Sequence, residues 1–167
     1  MELERLIRRC EGLEERTASL YRVWAARARE TPRLCSLWTA LAREEEEHAR
    51  SLRVAERSPA PGSRGCIDVT GWEDAIAAVE EHLIAAEGLG EGASVDHMLA
   101  AALELEMTEL ETMRRALVAL AGRPARHGGD HATGFAREAT RMSSDPHVGL
   151  LADLLLAETQ VRQASVG

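Results

Sequence analysis

Residues 37–52 read LWTALAREEEEHARSL. Around this stretch Leu34, Trp38, Leu41, Leu52 and Ala55 recur at the 3-4 spacing that lines one face of an α-helix. Glu45 and His48 fall on the same face, in its middle. Three residues apart on a helix, they project from one side as a pair. Glu45 alone says little, because Glu44, Glu45, Glu46 and Glu47 are consecutive and one of them must point in any chosen direction. Glu14 and Glu158, elsewhere in the chain, are harder to dismiss, since Glu158 follows the apolar run LLADLLLA.

Three other segments repeat the pattern. A first helix over about 2–30 gives a seam of Leu3, Ile7, Cys10, Glu14, Thr17, Tyr21, Trp24 and Ala28. A third, over about 94–121, gives Val95, Leu99, Ala102, Glu106, Glu109, Met113, Ala116 and Leu120. A fourth, over about 145–165, gives His147, Leu151, Leu154, Glu158 and Val161. Each seam is apolar except near its middle, where a carboxylate interrupts it. Thr31-Pro32 and Asp145-Pro146 read as an N-cap followed by a first-turn proline. The turn at 31 is short, so the helices over 2–30 and 32–57 are antiparallel neighbours. Residues 58–93 form a long crossover: a Pro/Gly/Ser loop at 58–71, then an amphipathic helix over WEDAIAAVEEHLIAAEG, closed by Gly88, Gly90 and Gly92. GRPARHGGDHATG reads as a loop, with one short helix over about 135–142. Two helical hairpins joined by one long crossover make a single-domain, all-α four-helix bundle with ferritin-like topology.

Composition agrees with this class. The 167 residues are 45% hydrophobic but only 3% aromatic, rich in Ala, Leu, Glu and Arg, which favours helix over sheet. All 20 basic residues are Arg, which reads as the codon bias of a GC-rich genome. A net charge of -8 without a basic patch argues against a nucleic-acid partner. No apolar run approaches the roughly 20 residues of a membrane span, and MELERLIRRC lacks the apolar core of a secretory signal. Cys10, Cys35 and Cys66 are odd in number and far apart. That excludes a disulfide scaffold and a C-x-x-C metal site, and the expected location is the cytoplasm.

Glu14 and Glu45 belong to one layer of the bundle. Glu14 and Glu45 each lie some 21–25 Å from the turn at Thr31, at ~1.5 Å per residue. Carboxylates converging in an apolar interior repel one another and are desolvated, at several kcal/mol per uncompensated ion. A pair of divalent metals resolves the conflict, and a carboxylate-rich, single-histidine set suits iron or manganese. Other groups offer less. His127, Asp130 and His131 lie in a Gly-Gly loop, His82 and His97 on amphipathic surfaces, and His147 too far from Glu158 to share a metal. Cys10 is a small core residue. No Ser-His-Asp arrangement, phosphate loop or dinucleotide fingerprint occurs.

L-E-E-x-T-x-x-x-Y (Leu13–Tyr21), L-A-R-E-E-E-E-H (Leu41–His48), L-E-M-T-E (Leu105–Glu109) and L-A-E (Leu156–Glu158) resemble the rubrerythrin branch of the ferritin-like superfamily. The resemblance spans the four long helices. It implies that Glu14 and Glu106 are terminal ligands, Glu45 and Glu158 bridging ligands, and His48 a terminal imidazole of a di-iron centre. It also implies that Tyr21 hydrogen-bonds near the metals and that Glu109 can enter the coordination shell. The implied chemistry is oxidation of Fe(II), or reduction of peroxide or dioxygen with electrons from an external donor, in a homodimer or larger homo-oligomer. The chain departs from the family where Val161 stands in place of a second motif histidine. The rubredoxin module of full rubrerythrins is also missing from this sequence. Two rival functions follow: a metal-free bundle serving as a binding or assembly module, and a di-metal oxygenase acting on an organic substrate.

Overall fold

The computed structural model describes residues 2–57, 70–121 and 128–164, and within them the side chains of 3–57, 70–108 and 132–161. Among these residues the chain is all helical, without a strand: α1 Glu2–Arg27, α2 Pro32–Arg57, α3 Trp72–Glu87, α4 Val95–Ala121, α5 Gly128–Met142 and α6 Pro146–Ala164. None of these helices is long and apolar enough to cross a membrane. Of the loop expected over 58–71, residues 58–69 lie outside the described residues.

The helix starts follow from their capping residues. The Cys35 N–H donates to the Thr31 carbonyl at 2.9 Å, the first helical bond of α2. Ser94 Oγ accepts the His97 N–H at 3.2 Å and Asp145 Oδ1 accepts the His147 N–H at 2.7 Å, so α4 and α6 each have a side-chain cap. α3 opens differently, from Gly71 at φ 78, where a side chain would strain the backbone although nothing crowds the position.

α5 is longer than the composition predicts, since the glycines of 122–134 point to a loop and to a helix only from about Phe135. The structure starts it at Gly128. Ala132, Phe135, Ala136 and Ala139 recur at helical spacing and are all buried. Burial of that face offsets the poor helix propensity of Gly128, Gly129 and Gly134. The first helix is shorter than expected, ending at Arg27, where the chain turns with the Thr31 N–H on the Ala28 carbonyl at 2.8 Å.

α1 and α2 form one hairpin and α5 and α6 another. α3 lies across α1 and α4, while α4 also meets α2 and α6. The second hairpin therefore differs from the simple pairing of the helices over 94–121 and 145–165, because α5 intervenes between them. Four of the chain's five aromatic rings gather between the hairpins. Tyr21 stacks on Trp38 with centroids 5.8 Å apart, Trp24 meets Trp38 edge-on at 5.0 Å, and Phe135 of α5 reaches Trp38 at 6.4 Å. Burying one such ring removes about 150–250 Å² from water, roughly 4–6 kcal/mol before entropic costs. The Arg9–Glu80 and Arg16–Glu87 ion pairs that stitch α1 to α3, at 3.3 and 2.8 Å, are half-exposed, and such pairs contribute about 0–1 kcal/mol each. The aromatic cluster holds the hairpins together; the ion pairs add a little between α1 and α3.

Candidate metal centre

The α1 seam is buried along its length, with Ile7, Cys10, Glu14, Thr17, Tyr21, Trp24 and Ala28 all inside. On α2, Leu34, Trp38, Leu41, Glu45, Leu52 and Ala55 are inside as well. Because α1 and α2 are antiparallel about the turn at 28–31, Glu14 and Glu45 come to the same height. There the interior holds charge. Glu14 is 3% exposed, Glu45 1% and Glu106 of α4 6%, in a region otherwise lined by Leu, Ala and aromatic side chains.

Glu14, Glu45 and His48 each offer one ligand atom, and these atoms lie within 4.8 Å of one another. His48 Nδ1 stands 2.9 Å from Glu45 Oε2 and 3.5 Å from Glu14 Oε2. The other oxygen of Glu45, Oε1, is buried without a hydrogen-bond donor among the described residues. Glu106 closes the group from α4, its Oε1 accepting the Tyr21 hydroxyl at 3.2 Å. Tyr21 is therefore fixed at both ends, by that hydrogen bond and by its stack on Trp38.

The electrostatics follow from burial. Desolvation, then repulsion from Glu14, raises Glu45 to about 8. Desolvation, then Glu45, does the same for Glu106, to about 8. Burial works to lower His48, but hydrogen bonds and charge from Glu14 and Glu45 overcome it and push the imidazole up to about 12. Three buried carboxyls cannot all ionise around one imidazolium. Protons therefore balance the cluster, and a divalent cation can take their place. The donor set fits one: three convergent ligand atoms, a further carboxylate beside them, and a buried carboxylate oxygen lacking any donor.

Glu44 belongs to this neighbourhood, although a run of four glutamates predicts a solvated helix surface. Its side chain is only 9% exposed, with Oε1 3.9 Å from His48 Nε2. Burial, then Glu106, raises it to about 9. The available signal was its i,i+4 relation to His48, masked by the run of four glutamates.

α6 departs from the expected seam. Val148, Leu151, Ala152, Leu155 and Thr159 are buried, while Leu154 is 44% and Val161 68% exposed, His147 is exposed and Glu158 is half-buried. The inward face is rotated by about one residue, so Thr159 and not Glu158 lies on it. Glu158 is not among the residues whose ligand atoms converge with Glu14, Glu45 and His48. Val161 likewise does not stand on the inward face where a second histidine ligand was expected. The side chains of Glu109, Asp130 and His131, and all of His127, lie outside the described residues.

No family model, no curated protein and no solved structure matches this chain. The functional reading rests on the site itself.

Proposed function

We propose that the chain is a ferritin-like helical protein whose centre binds divalent metal, two iron ions or two manganese ions, for redox chemistry on Fe(II), peroxide or dioxygen. The observation that carries this reading is the convergence of Glu14, Glu45 and His48 in an apolar interior, with one Glu45 oxygen lacking a donor. Glu14 and His48 would hold one metal, Glu45 would reach both, and Glu106 would serve the second. When bound, a pair of ferrous ions supplies two electrons, enough with two protons to reduce hydrogen peroxide to two waters, or serves as the substrate oxidised by dioxygen. The protein's own part is to hold these carboxylates in place without water. Tyr21 fixes the orientation of Glu106, and the Trp24–Trp38 pair closes the interior beside it. Because α6 turns Thr159 inward, the second position has fewer donors among the described residues than the first, so the two sites should differ in affinity.

Anaerobic addition of Fe(II) tests this reading. The expected result is uptake of one to two irons and, on exposure to oxygen, a near-ultraviolet charge-transfer band of ferric iron. Glu45→Ala and His48→Ala should each weaken the tighter site by at least about tenfold, or roughly 1.4 kcal/mol. Unchanged binding in both variants would move the site elsewhere. The rival reading, a metal-free bundle acting as a binding or assembly module, is favoured by one observation. Protons alone can neutralise this cluster, because Glu44, Glu45, Glu106 and His48 all hold theirs to high pH. A di-metal oxygenase would use the same ligands with an added substrate pocket. The electron donor of a peroxide-reducing form would be another protein. Assembly as a homo-oligomer is checked by light scattering on the purified chain.

A further inference from the structure

The two nitrogens of His48 face different carboxylates. Nδ1 is turned to Glu45 and Glu14, at 2.9 and 3.5 Å, and so to the convergent ligand atoms. Nε2 is turned the other way, one helical turn back along α2, where Glu44 Oε1 stands 3.9 Å from it. Glu44 is not a solvated member of the glutamate run. Its side chain is 9% exposed, whereas that of Glu46 is 36% exposed and paired with Arg22 on the surface. A neutral imidazole has a single lone pair. If Nδ1 offers it to a metal, Nε2 must carry the proton, and that N–H needs an acceptor because the ring is only 16% exposed. A shift of about 1 Å in the Glu44 side chain brings its carboxylate to hydrogen-bond distance of Nε2. The i,i+4 geometry already points it there.

We propose that Glu44 is the positioning residue of the centre: its carboxylate accepts the Nε2–H of His48 and so presents Nδ1, with its lone pair, to metal held by Glu14 and Glu45. The inference rests on the metal-binding reading above and adds to it a residue that does not itself ligate. Its physical effect is twofold. It selects one tautomer, and it fixes the plane of the ring. It also gives a reason for two adjacent glutamates to be buried on α2: Glu45 as ligand, Glu44 as the support of the imidazole.

The test uses the full chain and Co(II) as probe, titrated into wild type, Glu44→Gln, Glu44→Ala and His48→Ala. Helical content of each variant is checked by circular dichroism. Gln keeps a carbonyl oxygen at the same reach, so Glu44→Gln should bind Co(II) within about threefold of wild type, with the same stoichiometry and the same visible d–d spectrum. Glu44→Ala should lose about 10–100-fold in affinity, the usual effect of removing a partner of a ligating histidine. Nitrogen-15 shifts of His48 in the Zn(II)-loaded wild type should show the proton on Nε2. Equal affinity in Glu44→Ala and wild type would overturn the proposal, as would a proton on Nδ1. Loss of one metal equivalent in both Glu44 variants, with a changed d–d spectrum, would make Glu44 a ligand and overturn it as well. Absence of Co(II) binding by wild type would instead remove the metal-binding reading on which the proposal stands.

Discussion

Glu45 has one oxygen against His48 and the other in the apolar interior, and this asymmetry has a consequence for metal-free protein. Its carboxyl titrates ordinarily near 4.5 but at about 8 in the fold, burial being the main cause and Glu14 the next. A raised folded value means that the native state keeps a proton the unfolded chain has lost. Stability from this group is therefore complete below about 4.5 and is lost as pH rises through about 8. Glu106 acts in the same direction, and so does His48, raised from 6.5 to about 12. Metal-free protein should accordingly melt at lower temperature as pH climbs across that window. Glu45→Gln removes one of the titrating groups, so its fall should be shallower. Above pH 8 the metal-free variant should be the more stable by about 1–3 kcal/mol, the cost of a buried group left without partners, with the gap closing toward pH 4.5. Calorimetry over the pH range checks this. Parallel curves would mean that Glu45 is already satisfied in the metal-free state.

At the scale of the element, α6 is the informative helix. It turns Val148, Leu151, Ala152, Leu155 and Thr159 inward and leaves Val161 exposed. Val161→His should therefore change stability by no more than about 0.5 kcal/mol, as for other surface substitutions, and leave metal stoichiometry unchanged. Restoration of a second tight site by that variant would return Val161 to the centre and rotate the helix. Trp38→Ala, by contrast, removes the ring that Tyr21, Trp24 and Phe135 all contact, and should cost about 3–5 kcal/mol in thermal or denaturant unfolding. The contrast between helices explains what the sequence could reveal. On α1 and α2 polar residues surround a narrow apolar stripe, so the phase of the stripe is fixed and Glu14, Glu45 and His48 could be read as inward. LLADLLLA in α6 is apolar on nearly every side, so several registers give an equally apolar seam, and only packing against α4 and α5 chooses among them. α5 was hidden for the opposite reason. Its glycines resemble a loop, and its helix is stabilised by the burial of Phe135 and three alanines, which local composition does not encode.

At the scale of the molecule, two hairpins and the two helices between them, α3 and α4, bring an acidic layer and an aromatic layer together. The aromatic layer ties α1, α2 and α5; the acidic layer draws Glu14, Glu45 with His48, and Glu106 from three different helices. Such a layer is a local electrostatic conflict within a fold that is otherwise well packed, and a bound cation would relieve it. The direct measurement is metal analysis of the chain purified without chelator, paired with thermal unfolding of wild type and a Glu45→Ala/His48→Ala double variant before and after addition of Mn(II) or Fe(II). The account predicts bound transition metal in wild type, and a metal-dependent rise in melting temperature that grows with pH as protons leave the cluster. The double variant should lose both. A wild type that carries no metal, and whose melting temperature no divalent ion raises more than it raises that of the double variant, would contradict the account and leave a bundle neutralised by protons alone.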